Sequence, residues 1–516
     1  MPRLYPESLL AWAAAGVGAI GVASALTPEL ASRYDLVRGV LPPGVPTAAR
    51  VAALAFGLAL VWLSRSLARR RRRAWQLAVG LVVVSAAAHL AKGLDVEEAA
   101  AALALLAALV RFRGRFDVPG DPRAVRPVAA IALAAAAGGV LALGVDLRGG
   151  AVPDRLSDLL AALGLAGGLA GLYLWLRPLS QAVAQTIGER RAARALVELH
   201  GADSLAFFAL RRDKSYFFAP SGRAFLAYRV VAGTALVSGD PVGEAAEIDE
   251  LLAEFRRVAH SLGWRLAVVG VSAAMLPRYR ALGLRPIAMG DEAVVRPASF
   301  SLDGRSIRKV RQSVTRLERS GFAFRVAAAD AVDARLRAQL GAVSAAWRGG
   351  RAERGFSMAM DDLFAEGTVF AIAETAAGEV GGFLHLVPAG GGWSLSTMRR
   401  RASQPNGLTE FLVARALEWM RDRGSAELSL NFCALTDFIA TDRATTMPRR
   451  VVRRALLAAD RVFQLERLHA FNRKFRPEWR PRYLCVERYA DVPLVALAYL
   501  RAERLLAWPA RQRVSH

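Results

Sequence analysis

Long apolar runs, separated by short polar or charged connections, occupy the first 178 residues of the chain. A helix needs about 20 predominantly apolar residues to cross a bilayer, and each run approaches that length. The pattern therefore predicts about six transmembrane helices, at residues 9–26, 51–63, 75–90, 99–110, 128–145 and 159–176. The fourth run is short, and a re-entrant or interfacial helix is the alternative there.

Strand-like and helix-like segments follow one another after residue 178, where charged residues become frequent. Residues 224–231 and 266–271 are short apolar runs that contain β-branched side chains, which is typical of strands. Residues 246–262 instead repeat apolar side chains at helical spacing. We expect an α/β or α+β region of about 340 residues, long enough to bury at least one sizeable core.

A basic amphipathic helix is predicted at residues 305–320. Its apolar stripe consists of Ile307, Val310, Val314 and Leu317. The remaining surface carries Arg305, Arg308, Lys309, Arg311, Arg316 and Arg319, and a glycine at position 321 follows as a helix terminator. These cations either form a solvated face or contact the phosphates of tRNA or of anionic lipid.

A strand, a turn, a helix and a second strand are predicted between residues 393 and 435. A Pro-Asn-Gly turn at residues 405–407 opens the helix, and a glycine closes it. Backbone N–H groups at such a helix start can stabilise a developing negative charge. On this interpretation Asn406, Glu410 and Asn431 line a site. The alternative is that Asn406 and Glu410 only cap the helix.

The charge distribution indicates how the chain would lie in a membrane. Of the 516 residues 54% are apolar, and the formal net charge is +24. Arg-rich connections follow the second, fourth and sixth predicted spans, whereas the other connections are weakly charged or mixed. By the positive-inside rule, the N-terminus and the large C-terminal region face the cytoplasm.

Several classes of site are excluded by composition and motif. Two cysteines, Cys433 and Cys485, and six scattered histidines supply neither a Cys/His zinc cluster nor a disulfide framework. The sequence contains no P-loop, dinucleotide fingerprint, G-x-S-x-G elbow or H-x-x-x-H metal pair. RALGLR at residues 280–285 departs from the coenzyme A loop at its last small position, so coenzyme A binding is not supported.

Two clusters combine charged and aromatic residues. Trp347, Arg351, Glu353 and Phe356 place an acid among cations and aromatic rings, which suits either an ammonium ligand or a surface ion pair. Residues 470–484 interleave cations with four aromatic side chains, as in phosphate binding and base stacking. Four-residue spacing of these aromatic side chains is equally typical of the core side of a helix and a following strand.

Ordered segments between residues 195 and 488 resemble the catalytic domain of the phosphatidylglycerol lysyltransferases, also called multiple peptide resistance factors or aminoacyl-phosphatidylglycerol synthases. They are FLAYRV and GDPVG within residues 225–243, GDEAVV at 290–295, the basic helix, WRGGRAERGFS at 347–357, MRRRASQPNGLTE at 398–410, LNFCAL at 430–435 and KFRPEWRPRYL at 474–484. Each segment alone is weakly specific, and the resemblance rests on their order over nearly 300 residues.

The resemblance implies a multi-span membrane region followed by a cytoplasmic domain of two tandem GNAT-like (acetyltransferase-like) subdomains. The implied boundaries are 1–178 for the membrane region, 179–194 for a linker, 195–303 for the first subdomain, 304–321 for the basic helix, 322–490 for the second, catalytic subdomain and 491–516 for a tail.

The family reaction moves an amino acid from aminoacyl-tRNA to the headgroup hydroxyl of phosphatidylglycerol, which alters membrane surface charge and resistance to cationic peptides. An aminoacyl ester is already activated. Transfer therefore needs positioning, deprotonation of the hydroxyl and stabilisation of the oxyanion, but no metal or redox cofactor. Lysine or alanine is the expected amino acid. The alternative is a GNAT-type transferase that acts on another lipid or on a peptidoglycan precursor.

The resemblance also implies residue roles. Arg399 and Lys474 would contact a phosphate or the oxyanion, and Glu353 would bind the substrate ammonium, while Arg482 belongs to the same basic motif as Lys474. Ser396 stands where the family motif usually begins with Asp, and a serine cannot replace a carboxylate as a base or ammonium ligand. The serine at position 396 favours the alternative transferase, which acts on another lipid or on a peptidoglycan precursor. Glu410, close in sequence, is a carboxylate that could compensate for the missing Asp.

Overall fold

The computed structural model describes residues 6–26, 45–93, 96–131, 133–134, 166–168, 170–176, 181–350, 353, 355–434 and 465–505. Its internal contacts divide the chain into two units. One consists of residues 1–180 and 258–264, and the other consists of residues 181–257 and 265–516.

Four long helices lie in the described part of the first unit: α1 (Pro6–Leu26), α2 (Val45–Leu67), α3 (Arg72–Gly93) and α4 (Val96–Arg111). Two segments among the described residues are long and apolar enough to cross a membrane. These are α1, with 21 residues and a mean hydropathy of 1.9, and Arg50–Leu67 in α2, with 18 residues and a mean hydropathy of 1.4. Most of the fifth predicted span and part of the sixth lie outside the described residues, so the six-span topology stays a prediction.

Helices α1 and α2 approach each other closely at two glycines. A Cβ built on Gly18 would lie 2.6 Å from the carbonyl oxygen of Gly57, and a Cβ on Gly57 would lie equally close to the carbonyl oxygen of Gly18. Small residues permit this close backbone approach, which is a common mode of helix association in membranes. An apolar cluster that includes Leu10, Leu63 and Leu105 extends the packing to α4.

The described residues of the second unit form eight α-helices and twelve strands. The helices are α5 (Ile187–His200), α6 (Ile248–Ser261), α7 (Leu276–Ala281), α8 (Arg308–Arg319), α9 (Ala334–Arg348), α10 (Leu408–Arg421), α11 (Leu465–Asn472) and α12 (Val492–Ala502). The strands are β1 (Ser215–Phe218), β2 (Ala224–Val231), β3 (Thr234–Ser238), β4 (Val242–Gly243), β5 (Arg265–Ser272), β6 (Arg285–Val295), β7 (Ala323–Ala328), β8 (Val369–Glu374), β9 (Val380–Ala389), β10 (Gly392–Arg400), β11 (Leu428–Ala434) and β12 (Glu478–Val486).

All twelve strands form one sheet, in the order β1-β2-β3-β5-β12-β6-β11-β10-β9-β8-β7, with β4 paired to β2. Its strand pairs are antiparallel except for two, β3 with β5 and β10 with β11. A helix connects the members of each parallel pair, α6 in the first half and α10 in the second. The same strand-helix-strand arrangement therefore occurs twice in the domain.

Three apolar clusters stabilise this sheet. One lies between the second-half strands and helices α8 and α10 and includes Val310, Leu384 and Phe411. Another joins the first-half strands to α5 and α12 and includes Phe225 and Val495. A third packs α9 against β8 and β9. Helices thus cover both faces of the second half of the sheet.

The amphipathic patterns located several elements well. Strand β2 spans the residues predicted for it, and the stripe of the basic helix α8 is buried, with Ile307, Val310, Val314 and Leu317 at most 3% exposed. The helix itself is shorter than the predicted 305–320, because it begins at Arg308 and ends at Arg319.

The C-terminal region differs from the prediction. Residues assigned to a tail form α12, which buries Val495, Ala498 and Ala502 because these side chains share one helix face. Strand β12, assigned to the second subdomain, lies between β5 and β6 of the first half and pairs with both in antiparallel fashion. The boundary at residue 303 therefore does not separate the two halves of the sheet.

Candidate functional site

Strands β10 and β11 separate soon after they pair. Two residue pairs join them, between residues 393–394 of β10 and 428–429 of β11. The register then shifts in β10 after Leu395 and in β11 after Ser429, and such bulges bend a strand away from its partner. The opening lies at the carboxyl ends of two adjacent parallel strands, where open sheets commonly bind ligands.

Asn431 connects the two strands at this opening. Its φ of 71° is left-handed, a conformation that Asn tolerates better than most residues. The side-chain Nδ2 donates to the carbonyl oxygens of Leu395 at 2.6 Å and Met358 at 2.9 Å. The Oδ1 atom is buried without a hydrogen-bond partner among the described residues. Asn431, predicted from sequence to line a site, thus fixes β10 and the segment that contains Met358 against β11.

Residues 355–364, here called the wall segment, are fixed by hydrogen bonds from distant parts of the chain. Ser396 Oγ accepts from the backbone N–H of Met360 at 3.0 Å. The carboxylate of Glu503, just beyond α12, accepts from the N–H groups of Phe356 at 2.7 Å and Ser357 at 3.2 Å. Ser396, which stands in place of the family's usual Asp, therefore supports the wall segment through its hydroxyl.

Charged residues of the first half also contact the wall segment. The Arg211 guanidinium donates to the carbonyl of Ala359, and the backbone N–H of Arg212 donates to Asp361 Oδ2 at 3.0 Å. Arg212 also pairs with Asp362 at 2.8 Å. The wall segment is consequently held by both halves of the sheet.

Lys214 is buried next to the wall segment. Its Nζ donates to the carbonyl of Phe208 at 2.7 Å and to Ser238 Oγ at 2.8 Å, and it lies 4.9 Å from the ring centroid of Phe356. Burial, together with the nearby Arg211 guanidinium, lowers the pKa of Lys214 to about 7. The amine beside Phe356 is therefore only partly protonated at neutral pH.

Arg399, at the end of β10, is a buried cation held by two partners. Its Nη2 donates to Glu353 Oε1 at 2.6 Å, and its Nη1 donates to the hydroxyl of Ser344 on α9. Glu353 Oε2 also lies 3.7 Å from Arg348 Nε. The two site residues predicted from the family motifs are thus brought together as an ion pair, and the Glu353 carboxylate is shared between two guanidinium groups.

Two cavities adjoin the wall segment. The smaller, of about 270 Å³, is lined by Ser344, Arg348, Glu353, Thr397 and Arg399, with Leu363 and Phe364 on its apolar side. The larger, of about 710 Å³, is lined by Arg190, Arg191 and Arg194 of α5 together with Arg212, Phe207 and Tyr216. Met360 and Asp361 line both cavities.

Four arginines line the larger cavity, together with the acidic residues Glu198, Asp361, Asp362 and Glu366. Arg194 pairs with Glu198 at 2.6 Å, and Arg212 pairs with Asp362. Arg190 and Arg191, by contrast, form no ion pair with the residues that the structure describes. An anionic group such as a phosphate would complement these two guanidinium groups.

The remaining residues predicted from the second half lie away from the two cavities. Glu410, in the first turn of α10, accepts from Lys474 Nζ at 2.7 Å. Asn406 is exposed, and its backbone carbonyl accepts from Arg316 at 2.6 Å. The residue that caps α10 is Gly407, so Asn406 is not the capping residue, and Glu410 is the acidic residue of the first helical turn.

The basic helix uses part of its charge within the protein. Arg311 donates to the carbonyl oxygens of Leu302 and Gly304. Arg308 and Lys309 are exposed and have no hydrogen bond or ion pair through their side chains with other described residues. Together with Arg305 and Arg319, which are also exposed, these cations are available to a polyanion.

Arg482, on β12, is the centre of a buried ion network. It donates to Glu292 Oε2 at 2.6 Å, to Asp203 Oδ2 at 2.7 Å and to Ser204 Oγ at 2.8 Å. Burial alone would raise the pKa of Glu292, but the Arg482 guanidinium holds that pKa below its usual value. All the strong donors of Arg482 thus have partners inside the protein.

Sequence reasoning missed several residues of the site, namely Asp361, Lys214, Glu503 and His385. His385 on β9 is 1% exposed, and its Nε2 lies 2.9 Å from Thr368 Oγ1. Burial, and secondarily the Arg399 charge, lowers the pKa of His385 to about 3, so the ring is neutral.

The aromatic residues near position 475 pack into the core, with Phe475 2% exposed. Within the described ranges, no group of three or more His, Cys, Asp or Glu residues could hold a metal ion.

The repeated parallel pair and the opening between β10 and β11 define the class of protein, because they give the C-terminal domain a GNAT-like fold. Residues 194–486 match the family model described as phosphatidylglycerol lysyltransferase, C-terminal. The chain therefore belongs to the phosphatidylglycerol lysyltransferase family.

Curated relatives agree with this assignment. The lysylphosphatidylglycerol biosynthesis bifunctional protein LysX of Rhodococcus jostii (strain RHA1) is 37% identical over 367 residues, which cover 69% of this chain and 32% of the relative. LysX of Mycolicibacterium gilvum (strain PYR-GCK) is 32% identical over 567 aligned positions, which cover 99% of this chain and 51% of the relative. The chain thus spans between a third and a half of the length of these relatives.

Two solved structures share the fold. The C-terminal domain of a protein described as a lysylphosphatidylglycerol synthetase from Agrobacterium fabrum has a TM-score of 0.52 at 25% identity and covers 60% of this chain and 95% of its own. L-PGS from Bacillus licheniformis has a TM-score of 0.56 at 22% identity and covers 63% of this chain and 99% of its own.

Proposed function

We propose that the chain is an integral membrane aminoacyltransferase that moves an amino acid, lysine or alanine, from aminoacyl-tRNA to the headgroup hydroxyl of phosphatidylglycerol. The observation that carries the proposal is the fixed Arg399 guanidinium at the opening of β10 and β11, lining the 270 Å³ cavity. Family membership supports the same reaction.

Arg399 suits oxyanion stabilisation. Attack of a hydroxyl on an aminoacyl ester places negative charge on the carbonyl oxygen, and a donor already oriented toward that oxygen needs no reorganisation during the reaction. Glu353 and Ser344 fix the guanidinium from two elements. This geometry supports a role for Glu353 in orienting Arg399.

Two arginines of the larger cavity, Arg190 and Arg191, suit the lipid phosphate. Arg190 and Arg191 present guanidinium groups next to the apolar side chains of Phe207 and Tyr216, and a phospholipid headgroup offers both a phosphate and adjoining apolar carbons. The shared wall at Asp361 and Met360 would then keep acceptor and aminoacyl group close together. Proximity of this kind is a large part of acyl-transfer catalysis.

Mass spectrometry of lipid extracts tests the proposal. Cells that express the chain should contain phosphatidylglycerol heavier by one amino acyl residue, and cells that express Arg399→Ala should not. The mass shift also identifies the amino acid. If folded wild-type protein is present in the membrane and the lipid profile is unchanged, phosphatidylglycerol is refuted as the acceptor.

Ser396 favours a second candidate, a GNAT-type transferase that acts on another lipid or on a peptidoglycan precursor. Its hydroxyl bonds to the wall segment and cannot act as the carboxylate that the family usually has at this position. The same extracts, analysed for other modified lipids and for precursor-linked amino acids, separate the two candidates.

The proposed membrane topology has the N-terminus and the C-terminal domain in the cytoplasm, where aminoacyl-tRNA is found. A reporter fused after residue 516 should be active only if it is a cytoplasmic reporter. Activity of a periplasmic or extracellular reporter at that position would overturn this orientation.

A further inference from the structure

Asp361 differs from the other carboxylates around the site in its pairing. Its Oδ2 accepts from the backbone N–H of Arg212 at 3.0 Å, whereas its Oδ1 is buried and has no hydrogen-bond partner among the described residues. Glu353, by comparison, is shared by Arg399 and Arg348. A buried carboxylate oxygen is stabilised by a cationic hydrogen-bond donor more than by any neutral one.

A second unpartnered acceptor belongs to the same cavity. Thr397 Oγ1 on β10 is buried and has no hydrogen-bond partner in the described part of the chain, and both Thr397 and Asp361 line the 270 Å³ cavity. Leu363 and Phe364 provide an apolar surface next to them. A ligand that carries several N–H donors on a positive centre, beside a short carbon chain, matches these groups.

We propose that Asp361, together with Thr397, binds an ammonium group of the aminoacyl donor and thereby helps to select an amino acid ester as substrate. The proposal rests on the proposed function and replaces Glu353, the expected ammonium ligand, because the Glu353 carboxylate is already paired with two guanidinium groups. The ammonium is either the α-amino group that every donor carries or the side-chain amine of a lysyl donor.

Asp330 provides a matched control for Asp361. It is exposed between β7 and α9 and lines neither cavity. Asp361→Asn removes the charge and keeps a group of the same shape that can still accept from Arg212. Asp330→Asn makes the same change away from both cavities.

The experiment measures kcat/KM of the full-length protein in phosphatidylglycerol vesicles with lysyl-tRNA and alanyl-tRNA. Asp361→Asn should lower kcat/KM about 10- to 100-fold, the usual effect of losing a charge-assisted hydrogen bond, while Asp330→Asn should remain within about threefold of wild type. An equal loss with both donors assigns the α-amino group. A loss with lysyl-tRNA alone assigns the side-chain amine.

Acetylated donors separate ammonium binding from structural damage. If Asp361 binds the ammonium, acetylation of that amine should lower the rate of wild type but not lower the rate of Asp361→Asn further. Thr397→Val, which keeps all charges, should show a smaller loss with the same donors and serves as a second variant if Asp361→Asn folds poorly. Equal rates for Asp361→Asn and Asp330→Asn would overturn the proposal. Wild-type protein that transfers from neither tRNA would instead refute the proposed function.

Discussion

Arg399 combines burial, fixed orientation and position at the strand opening. A planar guanidinium can donate to Glu353 and Ser344 at the same time and keep further N–H groups for a ligand, which the single ammonium of a lysine cannot do with the same geometry. This is why the residue type matters at position 399, beyond the sign of its charge.

Arg399→Ala should therefore abolish amino acid transfer, with a loss on the order of 100-fold or more in kcat. Arg399→Lys should recover only part of the rate, because a point charge replaces an oriented fork. Arg400→Ala, the neighbouring cation on β10, is the control and should retain activity. Transfer rates measured with lipid vesicles check this, and full activity of Arg399→Ala would remove the residue from the site.

His385 predicts a pH dependence of stability. Its pKa is about 3 in the folded protein against an ordinary value of 6.5, so the unfolded chain binds an extra proton between these values. The free energy of unfolding should therefore fall as the pH falls from about 6.5 towards 3, by about 1.4 kcal/mol per pH unit from this group.

Unfolding of the purified protein at pH 7.5 and at pH 5.5 measures this effect. His385→Gln removes the titrating ring and should reduce the difference in the free energy of unfolding between pH 7.5 and pH 5.5. His260→Gln, at an exposed position, should leave that difference unchanged. The same pH dependence in wild type and His385→Gln would show that His385 is not the group responsible.

At the residue scale, the sequence identified candidate side chains but not the partners that they contact. Arg399 and Glu353 were both expected at the site, yet the ion pair between them joins residues 46 positions apart and depends on the path of α9 and β10. Asp361 was missed because it is one of two adjacent aspartates, and only the fold makes their surroundings different.

At the scale of elements, some cations of the basic helix α8 bind within the protein, and others stay exposed to solvent. The apolar stripe packs against the core as its spacing predicts. Arg311 and Arg316 bind backbone carbonyls of their own chain, so they stabilise the fold. Arg308 and Lys309 remain exposed, as do Arg305 and Arg319, and these cations can attract a polyanion over long range.

Changing Arg308 and Lys309 together to Gln should weaken binding of tRNA or anionic liposomes and reduce its dependence on salt, with little change in stability. Arg311→Gln should instead lower the free energy of unfolding by about 1 kcal/mol, because two carbonyl oxygens lose a donor. Salt titrations of binding and thermal unfolding separate the two effects. Unchanged binding of the double variant at low salt would make this helix a solvated surface.

Element positions could be predicted because they depend on local spacing, as for β2 and α8. The opening between β10 and β11 could not, because it depends on the pairing of β11 with β6 and of β10 with β9, which are contacts between distant segments. The turn at Asn406 was predicted correctly, yet Arg316 holds its carbonyl and the cavity forms elsewhere along β10.

At the scale of the whole domain, β12 makes the two halves one folding unit. It lies between β5 and β6 although it follows all of the second-half strands in sequence. Arg482 projects from β12 into a buried network with Glu292 on β6 and with Asp203. The residue that the family motif marked for substrate binding therefore joins the last strand to the first half of the sheet.

Arg482→Met should destabilise the protein by about 3 to 5 kcal/mol, because Glu292 and Asp203 would then be buried without a cation. The double variant Arg482→Met with Glu292→Gln should recover part of this loss, since it removes one of the two unpaired charges. Urea unfolding followed by tryptophan fluorescence measures both, and a transfer assay on the folded fraction separates stability from activity. If Arg482→Met is as stable as wild type but transfers no amino acid, Arg482 binds substrate and the buried network contributes little to stability. If folded Arg482→Met keeps its activity, the role of Arg482 is to hold β12 in the sheet.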